Sequence, residues 1–243
     1  MEDIWKKEIE LIRKNLKHNK FFIYSPMKSG TQSLNKIFNT HHVHHFDKHF
    51  LSKEEIFDIL KKRVQSGNKI IFISSLRNTF DRLCATFFQM NHEINGLVNN
   101  NINSSIIVKN SVKELINIFI RDFNRGTIFS NSASKDIFDD LILFFNINLY
   151  KIEHRGNYLY LNTELFEMYF FKFEDIISNN IITMCKDIFK INLIPFSENL
   201  TKDKIYYSKY KEFIKEIKGN TMLYNILETK IKEHSKRWNY IHI

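Results

Sequence analysis

The chain has 243 residues, 43% of them hydrophobic and 26% charged, with a formal net charge of +9. That length favours a single domain over residues 1–243, and the composition excludes a disordered or fibrous chain. No run approaches the ~20 apolar residues of a membrane span, and the acids of "MEDIWKKEIELIRKNLK" do not suit a secretion signal, so a cytoplasmic protein without a transmembrane segment is expected. Cys84 and Cys185, far apart, argue for reduced core residues. The positive charge favours anionic partners without choosing among nucleotides, acidic glycans, nucleic acid and a membrane surface.

Residues 2–18 place Ile4, Trp5, Ile9, Leu11, Ile12 and Leu16 at roughly helical spacing among charges, which predicts an amphipathic helix. "KFFIYS" reads as a short buried strand, and a helix is predicted from about Thr31 to Phe38. A His-rich extended segment, "HHVHHFDKHF", follows, then a helix over "SKEEIFDILKKRVQ" in which Ser52 and Glu55 fit a capping box. "NKIIFISSL" is the clearest strand and runs into a helix from about Thr79 to Met90. This alternation predicts a three-layer α/β fold, a central parallel sheet flanked by helices. Helices are expected at 111–123 and 134–146, and strands at "INLYKI", "NYLYL" and "MYFFKF". From "EDIISNNIITMCKDIF" onward the pattern is helical, giving a helical C-terminal third, while "NNNINSS" (99–105) reads as an exposed loop.

The turn in "FFIYSPMKSGTQSL" joins a strand to a helix N-terminus, where unpaired N–H groups and the positive end of the helix dipole converge. Lys28 adds a full charge, Gly30 allows close backbone approach, and Ser29, Thr31 and Ser33 supply hydroxyl donors, a set suited to phosphate or sulfate. A nucleotide-triphosphate loop needs its lysine directly after the second glycine. Here the lysine precedes the only glycine of the turn, which disfavours a P-loop small-molecule kinase, as does the lack of a convincing second-strand Asp for magnesium. The bland alternative is a basic surface turn that caps a helix. Arg77, at the end of the best strand, could likewise serve only to pair with an acid, and Arg82, on the next helix, could simply bridge Asp81 or Asp58.

Five of the ten histidines lie in residues 41–49. With no cysteine companion, and with His42 and His44 alternating against His41, His45 and His49 along an extended segment, a dedicated metal site is not expected.

"PMKSGTQSL" resembles the phosphosulfate loop of sulfotransferases that use 3′-phosphoadenosine-5′-phosphosulfate (PAPS), with Met27 inserted between the usual proline and lysine. "SSLRNTFDRLCATFFQ" is similar to that family's segment for the nucleotide 3′-phosphate; Arg77, Asn78 and Arg82 fall in register, Thr79 stands where proline is common, and Ala85 replaces the usual serine, with Thr86 one residue on. From about residue 20 to the C-terminus the chain resembles bacterial sulfotransferase-like proteins of capsular polysaccharide synthesis, also at "FDDLILFFNINLYKIEHRGNYLYLN", "FFKFEDI" and "DKIYYSKY".

The resemblance implies a P-loop-like fold and a carbohydrate sulfotransferase using PAPS as co-substrate without metal. Lys28, Ser29, Gly30, Thr31, Gln32 and Ser33 would hold the 5′-phosphosulfate, and Arg77 and Thr86 the 3′-phosphate. His49, from "DKHFLS", would be the general base, with His45 as second choice, and Lys28 would stabilise the departing oxygen. Glu174 and Asp175 would cap the next helix. The partners implied are a nucleotide donor and a carbohydrate acceptor, not nucleic acid. A catalytically degenerate binding protein is the other reading that Ala85 leaves open.

Overall fold

The computed structural model describes residues 2–26, 29–44, 51–91, 106–126, 137–193 and 206–234. The chain divides into two compact units, one of residues 1–77 with 136–197, the other of residues 78–135 with 198–243.

The first unit is a mixed α/β layer structure built on a six-stranded sheet ordered β2-β1-β3-β6-β5-β4. The strands are β1 (Phe21–Tyr24), β2 (His42–Val43), β3 (Ile70–Leu76), β4 (Glu153–Arg155), β5 (Tyr158–Asn162) and β6 (Phe166–Lys172). The first four in sheet order are parallel, and β5 and β4 add an antiparallel hairpin at one edge. The sheet is therefore not parallel throughout.

Helices flank both faces because the strand side chains alternate. Ile23, Ile73, Tyr169 and Phe171 pack against Leu34, Ile37 and Phe38 of α2 (Thr31–Phe38), Ile176 of α8 (Phe173–Ile177) and Ile181 and Cys185 of α9 (Asn180–Phe189). On the opposite face Phe72 lies 5.0 Å from Phe166 and 6.3 Å from Phe145. Phe145 in turn meets Phe57 of α3 (Lys53–Gln65) at 5.8 Å, and Phe138 of α7 (Ile137–Leu143) stacks on Phe170 at 5.4 Å. The first helix, α1 (Glu2–His18), packs on α3 with Ile12 and Leu16 buried, while Leu11 is 45% exposed.

The second unit is helical among its described residues: α4 (Thr79–Gln89), α5 (Ile106–Lys109), α6 (Val112–Asn124), α10 (Tyr207–Gly219) and α11 (Thr221–His234). Its core is aromatic, with Phe80, Phe87, Phe88, Phe119 and Phe213 joined by Leu115, Ile217 and Ile231. The Lys209 ammonium donates to the carbonyls of Ile107, Val108 and Asn110 at 2.9, 3.2 and 2.8 Å, closing the C-terminal end of α5. Lys209→Met keeps the aliphatic stem but strands those carbonyls, and a loss of about 2 kcal/mol is expected in denaturant unfolding.

Three local expectations are corrected. "INLYKI" is no strand: the Asn148 side chain accepts from Tyr150 N at 3.0 Å and starts a 3₁₀ turn, Leu149–Lys151. The Ser52 capping box is half made, since Ser52 Oγ accepts from Glu55 N but the Glu55 carboxylate is taken by Arg13 at 2.5 Å; the reciprocal box stands instead at Ser111 and Glu114. Glu174 and Asp175 sit inside the first turn of α8, whose N-cap, Lys172, makes no side-chain cap bond. There they complement the helix dipole without capping.

Candidate functional site

In the first unit the chain leaves β1 through α2 to β2, then crosses back through α3 to β3 on the other side of β1. Strand order therefore reverses at β1, and in open α/β sheets the crevice beyond the carboxyl ends of such strands is where ligands bind. The described residues that emerge there are Ser25, Pro26, Ser29 and Gly30 after β1 and Ser74 to Arg77 at the end of β3. Lys28, with Met27, lies outside the described residues; Ser29, Gly30, Thr31, Gln32 and Ser33 lie within them.

The two strand ends are tied by Ser25, whose buried Oγ accepts from Ser75 N at 3.1 Å. Gly30 takes φ 83°, a left-handed conformation that costs other residues about 1 kcal/mol or more, and its carbonyl accepts the first helical bond from Leu34 N at 3.0 Å. Thr31 Oγ1 donates back to the Pro26 carbonyl at 3.4 Å, a long bond across the turn. Gly30 offers no side chain to cap α2, so among the described residues the N–H groups of its first turn keep the orphan status that helix geometry gives them.

The hydroxyls of Ser29, Ser74 and Ser75 are buried, with relative exposures of 1, 0 and 0%, and have no partner among the described residues; Ser29 precedes the N-cap of α2 and Ser75 shares the Ile73 face of β3 with that helix, while Ser74 points to the opposite, Phe72 face. A buried polar group left unpaired costs about 1–3 kcal/mol, so the Ser29 and Ser75 hydroxyls on the α2 side of the strand ends call for a reason. A tetrahedral oxyanion, which accepts from several donors at once, would supply one. Gln32 is exposed and Ser33 half-buried on the first turn of the same helix.

Arg77, the last residue of the first unit, is half-buried and lies over the ring of Phe173, with Cζ 4.5 Å from the ring centroid. The same ring approaches the turn: a Cβ at Gly30 would come within 3.1 Å of Phe173 Cδ2 and Cε2. One aromatic side chain thus touches both the turn and the strand-end arginine.

Comparison of the chain with models of known protein families, with curated proteins and with solved structures finds no match.

Thr86 belongs to the second unit, 4% exposed, and its hydroxyl donates to the Arg82 carbonyl one turn earlier at 3.0 Å, a bond internal to α4. Arg82 is itself buried. His45 and His49 lie outside the described residues. The described histidine that reaches the turn is His44, whose Nδ1 is 2.9 Å from the Ser25 carbonyl. A carbonyl only accepts, so Nδ1 carries the proton of the neutral ring and Nε2 the lone pair. The sequence alone does not single out His44, Phe173 or the paired serines for this crevice. The legible signal was "SS", two small polar residues closing an otherwise apolar strand.

His42 lies 5.0 Å from His44 and 5.7 Å from His41 between ring centroids, and burial, with repulsion from those neighbours, pushes its pKa down to about 4. Its folded pKa lies below its unfolded one, so the unfolded chain binds more protons between about pH 6.5 and 4. Stability from His42 is complete above that window and lost as pH falls through it. His42→Gln is expected to flatten the acid limb of melting temperature against pH; a limb unchanged from the parent would refute this.

Among the described residues no group of three or more His, Cys, Asp or Glu is placed to hold a metal ion, and no described helix is long and apolar enough to cross a membrane. A separate cleft of about 580 Å³ lies between α1 and α3, lined by Lys17, His18, Glu55, Asp58, Lys62 and Arg63. It sits where α1 leads into β1 and α3 into β3, beside the amino ends of the strands and away from the crevice. Charges of both signs line it, and the Arg63 guanidinium is taken by the Leu16 and Asn68 carbonyls.

Proposed function

We propose that this chain is a PAPS-dependent sulfotransferase that modifies a hydroxyl of a carbohydrate, a surface polysaccharide or its precursor. The observation that carries the reading is the strand-end crevice, where the buried Ser29 and Ser75 hydroxyls, without a partner among the described residues, accompany a helix N-terminus whose N-cap, Gly30, offers no side-chain bond. The order of lysine before glycine favours a 5′-phosphosulfate over a nucleoside triphosphate.

In the reaction the acceptor oxygen forms a bond to sulfur while the bond from sulfur to the nucleotide's bridging oxygen breaks, leaving 3′,5′-ADP and a sulfate ester. Lys28 offsets the charge building on the bridging oxygen. The acceptor proton passes to an imidazole, for which His49, His45 and, by its bond to the Ser25 carbonyl, His44 are the candidates.

Incubation with ³⁵S-labelled PAPS and capsular glycans should transfer label and release 3′,5′-ADP. The base is the histidine whose replacement abolishes transfer while 3′,5′-ADP still binds. Failure to bind PAPS and 3′,5′-ADP would defeat the proposal; magnesium-dependent ATP turnover would replace it with a kinase. Tight 3′,5′-ADP binding without transfer to any glycan would favour a degenerate binding protein, consistent with Ala85 and with the Thr86 hydroxyl being used inside its own helix.

A further inference from the structure

We infer that Phe173 is a specificity-determining spacer, which fixes the separation between two anion-binding groups and so selects a nucleoside 3′,5′-bisphosphate over a monophosphate. The inference rests on the donor-site reading above and adds to it a residue that contacts neither phosphate. Gly30, in the turn, and Arg77, at the end of β3, emerge from neighbouring strands, and the Phe173 ring lies against both.

The guanidinium lies over the ring at 4.5 Å, within the range where a cation is attracted to an aromatic face. The ring carbons Cδ2 and Cε2 approach Gly30 so closely that an added methyl would stand at 3.1 Å. A ring held between these groups keeps the guanidinium at a set distance from the turn. A ligand with an anionic group at each end of one ribose gains from both positions only if that distance matches. A ligand with one phosphate gains only from the turn and is indifferent to where Arg77 stands.

The position of Phe173 supports a positional role. It opens α8, directly after the Lys172 N-cap, and the backbone of β6 before it is paired to β3 up to Lys172 opposite Leu76. Phe173 and Arg77 therefore each follow directly on the last paired residues of two neighbouring strands, Lys172 and Leu76. It is only half-buried, so its replacement by another apolar side chain is compatible with the fold.

The test compares 3′,5′-ADP with 5′-AMP by calorimetric titration of the parent, Phe173→Leu, Phe173→Tyr and Arg77→Ala. Phe173→Leu keeps bulk but loses the aromatic face; it is expected to weaken 3′,5′-ADP about fivefold and leave 5′-AMP within about twofold. Phe173→Tyr, which retains the face, should bind both as the parent does. In the Arg77→Ala background Phe173→Leu should have no further effect on 3′,5′-ADP, because the group it positions is gone. Equal weakening of both ligands, or unchanged 3′,5′-ADP binding in a folded Phe173→Leu protein, overturns the inference while leaving the donor-site reading intact. Should the leucine variant unfold, Phe173→Met is read by the same criteria. A parent that binds neither nucleotide defeats the donor-site reading and this inference with it.

Discussion

Replacing Lys28 by alanine is expected to lower sulfuryl transfer by about a hundredfold, in line with the loss of a preorganised charge at a developing oxyanion. The other donors that the described residues bring to the turn are neutral: backbone N–H groups of α2 and the hydroxyls of Ser29 and Ser75. Neutral donors can hold a ground-state anion, but the extra charge that gathers on the bridging oxygen as sulfur departs is best met by a full positive charge nearby. The effect should therefore fall mainly on kcat, with 3′,5′-ADP binding weakened less. The melting temperature should stay near the parent value, because the turn is secured without Lys28 by the Ser25–Ser75 bond and the left-handed Gly30. Lys28→Arg should retain part of the activity. An alanine variant with unaltered kcat would remove the lysine from the chemistry.

Gly30→Ala is expected to damage both stability and binding. The backbone at φ 83° opposes any Cβ by about 1–2 kcal/mol, and the methyl would press on the Phe173 ring at 3.1 Å. A fall in melting temperature of about 4 °C follows from the strain alone for a chain of this size. Because the displaced ring also carries the Arg77 guanidinium, 3′,5′-ADP affinity should fall about tenfold. Gly30→Asn separates the two causes: asparagine tolerates positive φ but still presents a Cβ, so it should recover stability more than affinity. Equal recovery of both would mean that the ring contact has no bearing on the ligand.

The α/β frame was legible because its signals are strong and local. "NKIIFISSL", continuous in β-branched and aromatic residues, reads as a buried strand, and the helix expected from about Thr31 to Phe38 after the turn is α2. The strand at "EHR" was missed because β4 is exposed on every residue and carries no apolar alternation; it exists because the Gly156–Asn157 turn folds it back on β5. "INLYKI" misled for the converse reason, since its apolar residues fit a strand while Asn148 supplies a local backbone bond that turns the chain. At the site, the turn and Arg77 could be read as separate motifs. Their common contact with Phe173 could not, because it depends on β6 lying next to β3 across nearly a hundred residues of sequence.

The buried serines carry an evolutionary consequence. Alanine at position 74 or 75 would remove a buried hydroxyl that has no partner among the described residues and is expected to give a sturdier empty protein, so selection for robustness alone would erase both. A library screened only for heat resistance should accordingly enrich for their loss before it touches the aromatic core.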